Sequence, residues 1–124
     1  MNKKRIMVID DENIVGKMIK ATFEHDGYSV ETFLNPKPAL ARLKEETFDV
    51  VITDLKMKDM DGMEVLKAIK SESPDIKVIM ITAFASLDAA VEAFRRNAND
   101  FFAKPVKISD LKACVQRLLS ENPS

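Results

Sequence analysis

Three short runs, Ile6-Met7-Val8-Ile9, Val50-Val51-Ile52 and Val78-Ile79-Met80-Ile81, are apolar at every position rather than at alternate ones. A strand with one wet face alternates, so a strand with no polar position is buried on both faces, as in a parallel sheet covered by helices. Two weaker candidates, Ser29 to Phe33, which alternates, and Phe101 to Ala103, beside a lysine, are expected nearer the sheet edges. Between these runs the apolar spacing becomes helical: Val15, Met18, Ile19 and Phe23; Leu40 and Leu43; Val65, Leu66 and Ile69; Leu87, Ala90, Val91 and Phe94; Ile108, Leu111, Val115 and Leu118. Gly27 stands where the first helix should stop, Pro36 and Pro38 where the second should start, and Ser109-Asp110 where a cap for the last would sit. Strict β-α repetition predicts an α/β fold, a doubly wound five-stranded parallel sheet with right-handed crossovers, for which strand order 2-1-3-4-5 is the leading topology. Gly16, inside the first helix, costs about 1 kcal/mol relative to alanine, and nothing in the sequence accounts for it.

At 124 residues the chain suits one domain, residues 1–124, with no output domain following. Hydrophobic residues at 46% and charged residues at 31% exclude a disordered chain or a disulfide scaffold. The net charge of −1, without blocks of basic residues, gives no reason to expect direct contact with nucleic acid or a membrane surface. A lone cysteine, Cys114, and a start that resembles neither a signal peptide nor a membrane span fit a reducing, cytoplasmic setting. The polar tail, Ser120 to Ser124, is expected to fray.

In an open parallel sheet, ligands bind beyond the carboxyl ends of the strands, so the residues at each strand exit matter most. These are Asp10-Asp11, Asp54, Thr82-Ala83 and Lys104-Pro105. Three carboxylates gathered at one edge repel one another and call for a cation. Their all-oxygen donors, with no His or Cys cluster, select a hard ion, Mg²⁺, which Mn²⁺ could replace in vitro. Phosphoryl transfer needs an in-line nucleophile, a metal on the phosphoryl oxygens and donors for the rest. Asp54 fits the nucleophile, Lys104 the cation beside one phosphoryl oxygen, and Thr82 a hydroxyl donor to another.

Taken singly, each of these residues has a plainer reading. Asp10-Asp11 could cap a helix, with Asn13 able to cap instead; Asp54 and Lys104 could be solvated loop charges; Thr82 could cap the fourth helix. Only their joint placement at four strand exits favours chemistry. Asp59 and Asp61 read as turn residues and stay outside the site, as does His25, a cation suited to a helix C-terminus. Cys114 reads as a small core residue. The methionines read as core filling, although Met57, Met60 and Met63, near the active loop, could serve a partner surface.

Val8-Ile9-Asp10-Asp11-Glu12, the stretch Asp54 to Gly62, Ile81-Thr82-Ala83 and Asp100-Phe101-Phe102-Ala103-Lys104-Pro105 together resemble the receiver domain of two-component response regulators. The likeness spans nearly the whole chain and implies a flavodoxin-like fold with the same 2-1-3-4-5 order. It implies that Asp11 and Asp54 ligate Mg²⁺ directly with the backbone carbonyl of Lys56, that Asp10 acts through water, and that Phe101 changes rotamer with phosphorylation of Asp54. It also implies a cis bond at Lys104-Pro105. Three positions depart from the family pattern: Lys58 for a usual proline, Asn97 where glycine is common, and Val106 for a common Phe. None removes a catalytic group. Asn97 tolerates the left-handed conformation that the turn requires.

The function so implied is that of a phosphoacceptor, not an enzyme acting on outside substrates. A sensor histidine kinase or histidine phosphotransfer protein would supply the phosphoryl group. Thr82 and Phe101 would then remodel a surface of the fourth helix, fifth strand and fifth helix, including Ala89, Arg96, Asn99 and Lys112, for an output protein or domain or for phosphorylation-dependent homodimerisation. Lys56 and Phe84 would flank the path of hydrolytic water. A constitutive, unphosphorylated protein-binding module of the same fold is the main rival. An aspartyl phosphatase lacks a second acid at Lys56, and a flavodoxin-like cofactor carrier lacks a phosphate-binding loop after the first strand.

Overall fold

The computed structural model describes residues 3–58 and 60–120. Five strands alternate with five helices: β1 (Arg5–Ile9), α1 (Asn13–His25), β2 (Ser29–Phe33), α2 (Pro36–Glu45), β3 (Val50–Asp54), α3 (Gly62–Glu72), β4 (Lys77–Thr82), α4 (Leu87–Arg95), β5 (Asp100–Ala103) and α5 (Ile108–Ser120). The sheet is parallel, in the order β2-β1-β3-β4-β5, as the sequence predicts, with the two weaker strands at its edges. Asp59 and residues 121–124, for which a turn and a frayed tail were expected, lie outside the described residues.

Successive side chains of a strand point to opposite faces, and the apolar strands accordingly divide into two cores. Met7, Ile9, Val51, Val78 and Met80 pack against Ala39 of α2, Val65, Leu66 and Ile69 of α3, and Ala93 of α4. Ile6, Val8, Val50, Ile52, Ile79 and Ile81 face the other way, onto Ile19 and Phe23 of α1 and Leu111, Val115 and Leu118 of α5. Phe101 joins the first core and Phe102 the second. Cys114 is buried in the second core as a small apolar residue; its Sγ contacts Asp100 Oδ2 at 3.2 Å, and burial with that carboxylate pushes the thiol up to about 12.

Local signals place most of the boundaries. Asn35 Oδ1 accepts the Lys37 amide ahead of Pro36, and Gly27 leaves α1 at φ 96°. Asn97 takes φ 73°, and Lys104-Pro105 is cis. The caps differ from expectation in three places. Ser86, not Thr82, caps α4, accepting the Ala89 amide at 3.1 Å. Asn13 lies inside α1, whose N-cap is Glu12. Ser109 and Asp110 lie inside α5, because the carbonyl of Lys107 already accepts the Asp110 and Leu111 amides.

Helix α4 also differs. Of its predicted apolar stripe, Leu87 is 80% exposed, Val91 and Phe94 are exposed, and only Ala93 of the helix is buried. The periodicity predicts the helix but not its buried face, since α4 rests on the sheet through its small residues Ala89 and Ala93. Met57, Met60 and Met63 pack against the first core, which favours core filling over a partner surface. Asn99 and Lys112 turn away from the expected surface. Asn99 Oδ1 accepts the Val78 amide at 2.8 Å and the Lys70 ammonium at 2.9 Å at the amino edge of the sheet, and Lys112 pairs with Asp26 beyond α1 at 3.1 Å.

Candidate functional site

The strand exits converge at the carboxyl edge. Past β1, the Asp10 amide still donates to the Phe33 carbonyl at 3.0 Å, and its carboxylate turns back so that Oδ1 accepts the Glu12 amide at 2.8 Å. Asp54 closes β3, with Oδ1 accepting the Lys56 amide at 3.2 Å. Thr82 closes β4 fully buried, its Oγ1 accepting the Phe84 amide at 3.0 Å, which leaves the hydroxyl proton free to donate elsewhere. One residue past β5, the Lys104 amide donates to the Thr82 carbonyl at 2.8 Å, setting the lysine beside β4.

Lys104 organises the centre. Its Nζ lies 2.9 Å from Asp54 Oδ2, 2.8 Å from Asp10 Oδ2 and 3.0 Å from Glu12 Oε1. Burial works against this ammonium, but the three carboxylates outweigh burial and hold it above its ordinary value. Burial also raises the Asp10 carboxyl, with Lys104 opposing and the Asp54 charge adding to the rise. The geometry thus brings together Asp10, Asp54 and Lys104, with Thr82 at the adjacent exit. Phe101 is half-buried against the first core, and Asp11 and Lys56 are exposed at the ends of β1 and β3.

Glu12 was not among the residues singled out from the sequence. Its local signals were its place directly after two acids and at the end of the Val8-Ile9-Asp10-Asp11-Glu12 stretch. Its link to Lys104 spans 92 positions and depends on the fold.

Carboxylate oxygens of Asp10, Glu12 and Asp54 lie within 4.8 Å of one another. Asp10 Oδ2 is buried and its partner is the Lys104 ammonium, 2.8 Å away. Three close carboxylates, all oxygen donors, against a single ammonium suit a hard divalent cation, so the residues present fit one. A hollow of about 660 Å³ lies at the opposite end of the sheet, lined by Lys4, Asp49, Lys70 and Lys77 among others, away from this chemistry. No helix among the described residues is long and apolar enough to cross a membrane.

Comparison with known proteins agrees with this fold. Residues 6–116 match the response regulator receiver domain. The transcriptional regulatory protein ZraR of Klebsiella oxytoca is 37% identical over 95% of the chain, which spans only 28% of that relative. A receiver domain protein (CheY-like) from Methanospirillum hungatei superimposes with a TM-score of 0.92 at 32% identity, covering 95% of this chain and 94% of that one. A response regulator from Burkholderia pseudomallei, solved with a phosphorylated aspartic acid, a calcium ion and citrate, has a TM-score of 0.85 at 27% identity, covering 98% of this chain and 76% of that one. Fold, site and sequence together establish that this chain belongs to the response regulator receiver domain family.

Proposed function

We propose that residues 1–124 form one phosphoacceptor receiver, in which Asp54 takes a phosphoryl group from a phosphohistidine on a sensor histidine kinase or histidine phosphotransfer protein. The observation that carries the reading is the Lys104 ammonium 2.9 Å from Asp54 Oδ2, at the carboxyl edge and beside buried Asp10. An Asp54 oxygen forms a bond to phosphorus while the phosphorus–nitrogen bond of the donor breaks and its electron pair returns to the imidazole. Lys104 pairs with one phosphoryl oxygen, and the free Thr82 hydroxyl donates to another. Asp10, Asp11, Asp54 and the backbone carbonyl of Lys56 would hold Mg²⁺, or Mn²⁺ in vitro, which supplies countercharge to the phosphoryl oxygens. Hydrolysis by water restores the carboxylate, so the chain turns over its own modification and no outside substrate. The aspartyl phosphate in the Burkholderia relative supports this chemistry.

Signal leaves through the surface of α4, β5 and α5. Phosphorylation adds nearly two negative charges, drawing Thr82 toward Asp54 and giving Phe101 room to turn inward. The exposed stripe of Phe84, Leu87, Val91 and Phe94 offers an apolar landing area for an output protein or domain, or for a second copy of the chain. Incubation with Mg²⁺ and a small phosphodonor, read by intact mass, tests the reading. One added phosphoryl group on the wild type and none on Asp54→Asn is the expected result. No addition to the wild type would favour the constitutive binding module.

A further inference from the structure

We infer that Glu12 is a positioning residue that carries Lys104: it shares the ammonium with Asp10 and Asp54 in the cation-free site and retains it when a divalent cation takes those two carboxylates. The inference rests on the Mg²⁺-dependent reading above. The Lys104 Nζ sits among the same three acids whose oxygens could together hold a cation. An ammonium and a divalent ion cannot share these carboxylates closely, because like charges at such distances repel strongly in a partly buried site. The ammonium must give way.

Which carboxylate moves with it follows from how each is held. Asp10 is buried, and its Oδ1 is tied to the Glu12 amide; Asp54 is buried, and its Oδ1 is tied to the Lys56 amide. Both are fixed. The Glu12 side chain is 60% exposed. Glu12 is also the N-cap of α1, a position at which Ser, Thr, Asp or Asn is the usual capping side chain, and its own carboxylate makes no capping bond. It reaches across to Lys104 instead. An exposed carboxylate with no backbone tie, directed at the lysine, can follow the ammonium aside while keeping it within reach of Asp54.

The test is a double-mutant cycle on Mg²⁺ affinity, measured by isothermal titration calorimetry on wild type, E12Q, K104M and E12Q/K104M. A carrier acts through the lysine, so E12Q should weaken Mg²⁺ binding at least about threefold more with Lys104 present than in the K104M background. A smaller difference overturns the inference and leaves Glu12 as a cation ligand or a plain local charge. Labelling of the Lys104 amine by reductive methylation, read by peptide mass spectrometry, needs only E12Q. Mg²⁺ should increase labelling of E12Q more than of wild type, and an equal change in both overturns the inference. Absence of Mg²⁺ binding by wild type would overturn this inference and the metal part of the proposed function together. Normal Mg²⁺-dependent phosphorylation with an uncoupled cycle overturns this inference alone.

Discussion

Two glycines in helices look alike in sequence and differ entirely in space. A Cβ on Gly62, at the start of α3, would overlap the Asp54 carbonyl and stand 2.6 Å from Leu55 Cα, because the helix begins against the exit of β3. Gly62→Ala should therefore cost at least about 2 kcal/mol, within the range for overpacking, and slow phosphoryl uptake at Asp54; urea midpoints and intact-mass time courses would measure both. A Cβ on Gly16 would meet Thr32 side-chain carbons at 3.5 Å, an ordinary contact. Nothing in the structure requires glycine there, and Gly16→Ala should raise stability by about 1 kcal/mol in the same unfolding experiment. The sequence marked Asp61-Gly62 only as a turn, since the atoms that demand glycine lie seven and eight positions back in the chain. Phe84, two residues after Thr82, is 64% exposed. Phe84→Ala should shorten the aspartyl phosphate half-life, and an unchanged half-life would remove Phe84 from the expected water path.

Among the elements, α4 shows what a period can and cannot reveal. Spacing identified the helix, but its apolar stripe faces solvent while Ala93 alone is buried. Leu87→Gln and Phe94→Gln should therefore leave the unfolding free energy within about 0.5 kcal/mol of wild type while weakening phosphorylation-dependent association, read by sizing with and without phosphodonor. Ile52→Ala, in the centre of the second core, should by contrast cost about 2–5 kcal/mol. Phe101→Ala tests the link between the two behaviours. Phosphorylation of Asp54 should remain measurable while coupling to the partner weakens, and equal loss of both would count against a rotamer switch.

Across the whole molecule, β1, β2 and α2 are tied by charge as well as by packing. Glu31 accepts from Arg42 at 2.9 Å and 3.1 Å and from Arg5 at 3.0 Å, and Arg5 also stacks on Phe48 at 4.5 Å. Hydrogen bonding from Arg42, aided by Arg5, holds the Glu31 carboxyl below its ordinary value. A lowered folded-state value means that stability is present above the unfolded glutamate range and is lost as pH falls through the folded one. Stability should decline as pH falls below the ordinary glutamate range, and E31Q should flatten part of that slope in urea titrations. The sequence by itself determined the architecture: wholly apolar strands must be buried on both faces, and five β-α repeats leave the carboxyl edge as the place where Asp10, Asp54, Thr82 and Lys104 gather. Only the tertiary structure decided that Glu12 shares Lys104, that Asn99 and Lys112 pair elsewhere, that α4 turns its apolar stripe outward and that Gly62 admits no side chain. Each of these depends on contacts between segments distant in the chain and on the direction of a side chain about its helix, which local periodicity does not encode.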